Sequence, residues 1–382
     1  MKTSFAVVVA LFALSPVVAQ PPAKWWPKEV DATLDKAGAN KAELEKALNG
    51  AEKDHRPGLA FLLTHMPEKD AKALKADYLL ENLSLAYKAR AEFAWAKAVP
   101  EATFFNNVLP YCNIDETRDP WRKELYALCK PMVKDCKTAT DVAMTLNKEL
   151  FPKLKVKYST ARKAANQGPL ETMKTGLASC TGLSILLSDA CRAVGVPTRV
   201  VGVQLWADKR GNHTWLEIWD KDWHFTGACE PDPSGLDRGW FVGDAAKAKK
   251  DEREHAVFAA SFAKQSTHFP LVWALKNTDV PGENVTDRYA KAAPKAETAK
   301  LLVRVVGADG KRVAVAVKVE EKGKDTAAVS GTSRGETNDT NDILAFDLKS
   351  ATEYVVTVGE TKKAVTTPAA GKQETMEIRL PK

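Results

Sequence analysis

The chain has 382 residues, 45% hydrophobic and 27% charged, which is ordinary for globular protein and long enough for two or three domains. Its net charge of +7 comes from interspersed Lys, Arg, Asp and Glu, with no basic stripe carrying interleaved aromatics, so nucleic acid is disfavoured as a partner. The six cysteines fit no zinc finger or ribbon and no EF-hand loop is present, so no metal or other cofactor is expected.

Met1-Lys-Thr, the apolar run Phe5 to Leu14 and the small-residue tract ending at Ala19 read as a secretory signal peptide over residues 1–20. The run is too short for a stable membrane span, and no other stretch approaches one. The expected location is therefore secreted or periplasmic, where disulfides are permitted. A bridge among Cys112, Cys129 and Cys136 is one expectation.

Residues 21–165 form a region of mainly helical pattern. Helices are predicted over Lys41–Leu48, Asp70–Leu85, Tyr87–Ala98, Arg122–Cys129 and Ala139–Leu150, punctuated by prolines. Phe104, Phe105, Tyr111 and Trp121 are expected in the core or along a cleft wall, with core preferred.

Residues 166–285 carry the chemistry. Gly176-Leu-Ala-Ser-Cys180 is a small-residue loop ending at the start of an amphipathic helix. Leu183, Leu186, Leu187, Ala190 and Val194 recur at helical spacing, and Gly195 and Pro197 stop the helix. A thiol at a helix N-terminus meets unsatisfied N–H groups and the positive dipole end, which favour thiolate and an oxyanion. Thr198 to Trp206 reads as a strand, followed by a polar loop and a second strand, His213 to Trp219. Thr214, Leu216 and Ile218 suit the core, which puts His213 on the other face at the mouth of the strand. A helix-start cysteine with a strand-start histidine suits a thiolate–imidazole pair. Cys191 reads as a small buried hydrophobe, and His55, His65, His224, His255 and His268 as structural. Trp206 and Trp215 suit either a groove wall or the core of a small sheet. Ala245–Lys264 is predicted helical.

Cys180, the run Ala193-Val-Gly-Val-Pro-Thr-Arg-Val-Val201, Gly211-Asn-His-Thr-Trp-Leu-Glu-Ile-Trp219 and Trp223 resemble the core of the transglutaminase-like superfamily. That group has a papain-like cysteine fold and includes transglutaminases, microbial proteases and peptide N-glycanases. The resemblance implies a Cys–His–Asp triad acting on amide bonds. It covers roughly residues 170–245 and departs from the pattern at the third position. Counting from Trp223, the aspartate falls at Gly227, and the nearest carboxylate is Glu230. A two-residue turn at Lys221-Asp222 would set Glu230 opposite His213. A three-residue turn, Asp220 to Asp222, would set Cys229 there and leave Glu230 on the other face, although Pro231 ends the strand and Glu230 can also curl back. Asp232 and Asp237 are the alternatives. Ala228-Cys-Glu230 is also similar to a segment of the peptide N-glycanases.

Residues 286–298 look like a linker. Residues 299–382 are expected to form a further domain: from Leu301 the period changes to two, with short strands expected at Leu301–Val306, Val313–Val319, Ile343–Leu348, Tyr354–Val358 and Glu377–Leu380. Thr332 to Asn341 reads as a polar loop. The pattern resembles transthyretin-like or carboxypeptidase-regulatory-like sandwiches, and no catalytic constellation is visible in it.

The expected protein is thus α+β: a helical N-terminal region, a papain-like core and a C-terminal all-β sandwich. The expected activity is cysteine-dependent hydrolysis of amide bonds in a peptide or protein, with Cys180 as nucleophile, His213 as base and Glu230 as orienting acid. The sandwich is expected to serve contact with an envelope or glycan, or spacing. The alternatives are a degenerate module that binds peptide or glycan, a transamidase, and a deglycosylating amidase.

Overall fold

The computed structural model describes residues 24–290, 298–324 and 328–381. The signal segment and most of the expected linker lie outside them. No helix among the described residues is long and apolar enough to cross a membrane.

The N-terminal helices α1 (Lys28–Lys36), α2 (Lys41–Gly50), α3 (Arg56–His65) and α4 (Ala76–Glu92) share one apolar cluster with Phe104 and Tyr111. The two helices expected over 70–85 and 87–98 are instead the single α4 with short turns on either side. Asp70 is withheld from it because its buried Oδ2 accepts from Tyr111 (3.0 Å) and Arg118 (2.9 Å). Phe93, in extended backbone, ends the helix. Helices α5 (Trp121–Cys129) and α6 (Ala139–Leu154) belong to a second core with α7 (Cys180–Ala193). A Thr138/Asp141 capping box starts α6.

The sheet of this second core has six antiparallel strands: β1 (Thr198–Val203), β2 (His213–Asp220), β3 (Asp222–Thr226), β4 (Val257–Ala260), β5 (Thr267–His268) and β6 (Pro281–Asn284). Their order is β3-β2-β1-β4-β6-β5. Leu216 and Ile218 of β2 pack in the same core as α7, as alternation predicts. The opposite face is also covered, by Trp206, Phe241 and Tyr289 around Trp215. Trp206 and Trp215 are 1% and 0% exposed, so they fill this core and wall no groove.

Two expectations change here. The helix predicted over 245–264 is a short turn, a loop and strand β4. Its Ala, Lys and Glu content favours helix, but Val257 to Ala260 are wholly buried between β1 and β6, and tertiary pairing overrides propensity. Helix α7 is not half-exposed either. Every residue after Cys180 is buried, and its polar face is met by partners. Ser188 donates to Asn113 and Arg192 to the carbonyls of Cys112 and Thr198. Asn113 donates to Asp189 at 2.8 Å. Burial raises the Asp189 carboxyl well above its ordinary range.

The C-terminal part is a two-sheet structure. One sheet has the order β9 (Val329–Thr332), β8 (Ala316–Glu321), β11 (Glu353–Val358), β12 (Thr361–Thr366). The other has β10 (Leu344–Lys349), β7 (Thr298–Val306), β13 (Gln373–Arg379), with β7 and β13 parallel. Leu301, Val303, Val317, Phe346, Val356 and Ile378 fill a core drawn only from this part of the chain. Strands β9 and β12 were not expected, because their exposed, polar sequences carry no clear alternation of apolar residues.

Candidate active site

Cys180 is delivered by a built entrance. Lys157 and Tyr158 pair in parallel with Leu177 and Ala178. Gly176, at φ 70°, makes the turn before them, and a Cβ there would stand 2.9 Å from the Lys155 carbonyl. Ser179 then caps α7, its Oγ accepting from Gly182 N at 3.1 Å and donating to the Ala165 carbonyl. Thr181 Oγ1 donates to Thr214 Oγ1 at 3.0 Å. That bond ties the helix start to the residue beside His213, and so fixes the Cys–His spacing.

His213 opens β2 opposite Val203 and is 1% exposed. Its ring lies 4.6 Å from Trp240 and 5.0 Å from Phe241, centroid to centroid. Cys180 Sγ, one ring nitrogen of His213 and one carboxylate oxygen of Asp339 all lie within 4.8 Å of one another. Asp339 Oδ2 is 3.6 Å from His213 Nδ1, a charge contact rather than a hydrogen bond. Neither ring nitrogen makes a hydrogen bond among the described residues. Burial opposes a charged imidazole, yet Asp339 and Cys180 outweigh it and hold His213 well above its ordinary range. Burial likewise opposes the Asp339 carboxylate, and His213 prevails and holds it below the usual value.

Asp339 comes from the loop between β9 and β10, and sequence reasoning missed it. The loop is clasped by Arg312, whose guanidinium donates to the carbonyls of Asn338, Asp339 (2.9 Å) and Asp342 (3.4 Å). Arg334 binds both oxygens of Asp342 at 2.9 Å. Asn341 donates to Asp339 Oδ1 from its backbone at 2.8 Å and its amide at 3.2 Å, which leaves Oδ2 toward His213. Across the seam, Asn341 also donates to the Asn212 carbonyl (2.7 Å), and Thr340 Oγ1 bonds Tyr158 (2.7 Å). The signal in the sequence was the dense run Asn338-Asp-Thr-Asn-Asp342 in a loop, a place where function concentrates.

Glu230 takes a different place. The turn is tight, Asp220 pairing with Asp222, which sets the register with Trp219 opposite Trp223. Pairing ends at Thr226, and carried one step further the register sets Gly227 beside Trp215, on the His213 face. Asn147 of α6 holds the following turn, donating to the Gly227 carbonyl (2.8 Å) and accepting from Cys229 N (2.8 Å). Cys229 adopts φ 65° and the chain curls back. A Cβ added at Gly227 would stand 2.2 Å from Glu230 Oε2. The Glu230 carboxylate therefore fills the volume a residue-227 side chain would take. It accepts from Trp240 Nε1 at 2.9 Å and makes no hydrogen bond or ion pair with His213. Burial raises it to about 7, partly offset by the nearby His213.

The alternatives lie elsewhere: Asp237 pairs with His224 at 2.7 Å, and Asp232 accepts from Ser234 N in its own turn. All six cysteines are free, so no bridge joins Cys112, Cys129 and Cys136. Beside Glu230 opens a cavity of about 810 Å³, lined by Trp240, Arg238, Asp232, Arg334 and Asp342 but not by Cys180 or His213. The thiol, imidazole and carboxylate of Cys180, His213 and Asp339 are also a donor set that a thiophilic divalent cation accepts.

Residues 126–245 match the family model of the transglutaminase-like superfamily, so the segment that holds α7, β1, β2 and β3 is a transglutaminase-like core. No curated protein matches the chain. Among solved structures, a "putative cysteine protease" from Cytophaga hutchinsonii shares 16% identity over 38% of this chain and 48% of its own, with a TM-score of 0.29. The transglutaminase of red sea bream shares 9% over 76% of this chain and 59% of its own, with a TM-score of 0.27. The chain thus spans about half the length of the first and under two thirds of the second.

Proposed function

We propose that the protein is an exported, cysteine-dependent amide-bond hydrolase acting on peptides. The observation that carries the reading is Cys180 at a capped helix N-terminus with a His213 ring nitrogen within 4.8 Å of its sulfur. Thiolate Sγ attacks the amide carbonyl carbon, an S–C bond forms, and the backbone N–H of Cys180 faces the oxyanion. The C–N bond then breaks as imidazolium His213 gives its proton to the leaving amine. Water adds to the thioester while His213 takes its proton, the C–S bond breaks, and acid and thiolate result. Glu230, whose carboxylate fills the third position on the His213 face without bonding the ring, acts on the imidazole through its charge. The signal-like pattern of residues 1–20 supports export.

A second reading, a peptide- or glycan-binding module, is favoured by the separation of the large cavity from Cys180 and His213. The pH dependence of Cys180 alkylation by iodoacetamide, located by mass spectrometry, decides between them. Hydrolysis requires a thiolate that reacts well below pH 8 and loses this in His213→Ala. A thiol that ignores His213 leaves the binding module.

A further inference from the structure

A carboxylate that orients the imidazole of a thiolate pair stands on the ring nitrogen turned away from sulfur, which places it roughly 8 Å from that sulfur. Asp339 does not stand there. Its carboxylate lies within 4.8 Å of Cys180 Sγ and 3.6 Å from His213 Nδ1. It is on the thiol side, where an acyl group must arrive. His213 and Asp339 are 1% and 2% exposed while Cys180 stays part-exposed, so the loop closes the His213 side of the thiol, where the leaving amine must meet the imidazole.

Resting on the reading of Cys180 and His213 as nucleophile and base, we propose that the C-terminal sandwich is an autoinhibitory cap, whose Asp339 plugs the thiol face of the pair and keeps the enzyme latent until the loop withdraws. Two features suit it to that role. The loop is preformed, because Arg312 and Asn341 hold it from within the sandwich. The seam is polar: Thr340 to Tyr158, Asn341 to Asn212, Arg210 to the Asn341 carbonyl, Gln373 to Asp208. The sandwich keeps its own apolar core, so it can leave without opening one. Polar seams between domains with separate cores are the ones that open and close.

The test uses the full chain as wild type, as Asp339→Ala, and as the seam double variant Asn341→Ala/Gln373→Ala, with Asp339→Asn held ready should either fail to fold. Two rates are read: labelling of Cys180 by a bulky maleimide at pH 9, located by mass spectrometry, and hydrolysis of denatured casein at pH 7. A cap predicts that labelling rises tenfold or more in both variants and that hydrolysis rises with it. Unchanged labelling, or hydrolysis that falls in Asp339→Ala at unchanged KM, overturns the cap and makes Asp339 a supporting member of the site. Faster labelling with no hydrolysis in any form, and no effect on alkylation below pH 8 when His213→Ala is added to Asp339→Ala, keeps the cap and rejects the hydrolase.

Discussion

The helix that carries Cys180 and the loop that carries Asp339 are built differently. Helix α7 is buried along its whole length after Cys180, and its polar face bonds to Asn113, Thr198 and backbone carbonyls, with Asp189 Oδ2 and Arg192 Nε left without a partner among the described residues. The Asp339 loop is clasped by Arg312 within a sandwich that has its own core and meets the rest through polar bonds. Cys180 and His213 are therefore fixed to one another by one core, and Asp339 belongs to a part with a core of its own. Contact between groups at one site does not make them one catalytic unit.

That difference can be broken at several points. The largest effect is expected from His213→Ala, which removes the proposed proton carrier. Turnover should fall about 10³-fold with little change in melting temperature, measured on an Asp339→Ala background. If turnover survives, the fixed half of the comparison is wrong. Next comes Leu187→Ala, at the buried centre of α7. It should cost about 3 kcal/mol and lower one calorimetric transition while leaving that of the sandwich in place. Val356→Ala should do the reverse. A single transition moved equally by both would show that the halves are not separable.

Glu230→Gln sharpens the comparison through pH. Glu230 is raised to about 7 by burial, so it is neutral in the folded chain where the unfolded chain already ionises. Wild-type stability from this group is intact below the ordinary glutamate range and is lost as pH rises through about 7. The Gln variant should match wild type near pH 4 and exceed it by about 2 kcal/mol at pH 8, allowing for solvent in the adjoining cavity. A constant difference across that range would mean Glu230 is not buried as described. The smallest effect is Ser179→Ala, which removes the α7 cap and should cost about 1 kcal/mol in urea unfolding.

Cys180 and His213 were legible because their placement is local. A small-residue loop before a periodic helix puts a thiol at its first turn, and strand alternation sorts His213 from Leu216 and Ile218. The register of the β2–β3 hairpin was narrowed to two values, and the structure has the one that sets Trp219 opposite Trp223. The return of Glu230 to the His213 face was legible only as one option after Pro231, because what fixes it is Asn147 reaching over from α6 to hold the turn. Asp339 was hidden for a further reason. Its place is set by docking of one domain on another, through single hydrogen bonds that leave no periodic trace. Strand β4 failed in the opposite way: its local composition spoke for helix, and only its two neighbours make it a strand.

The free thiols have a consequence for how the chain meets oxidants. Cys129 and Cys229 are each pushed up to about 12 by burial, and burial also raises Cys112, Cys191 and Cys136. Oxidants and electrophiles act on thiolates, so burial disfavours reaction at these sulfurs, least at the part-buried Cys136. Selectivity for the sulfur at the start of α7 then needs no recognition by the attacking reagent. It follows from the burial of the others, and an oxidant would meet Cys180 first whenever that residue is uncovered.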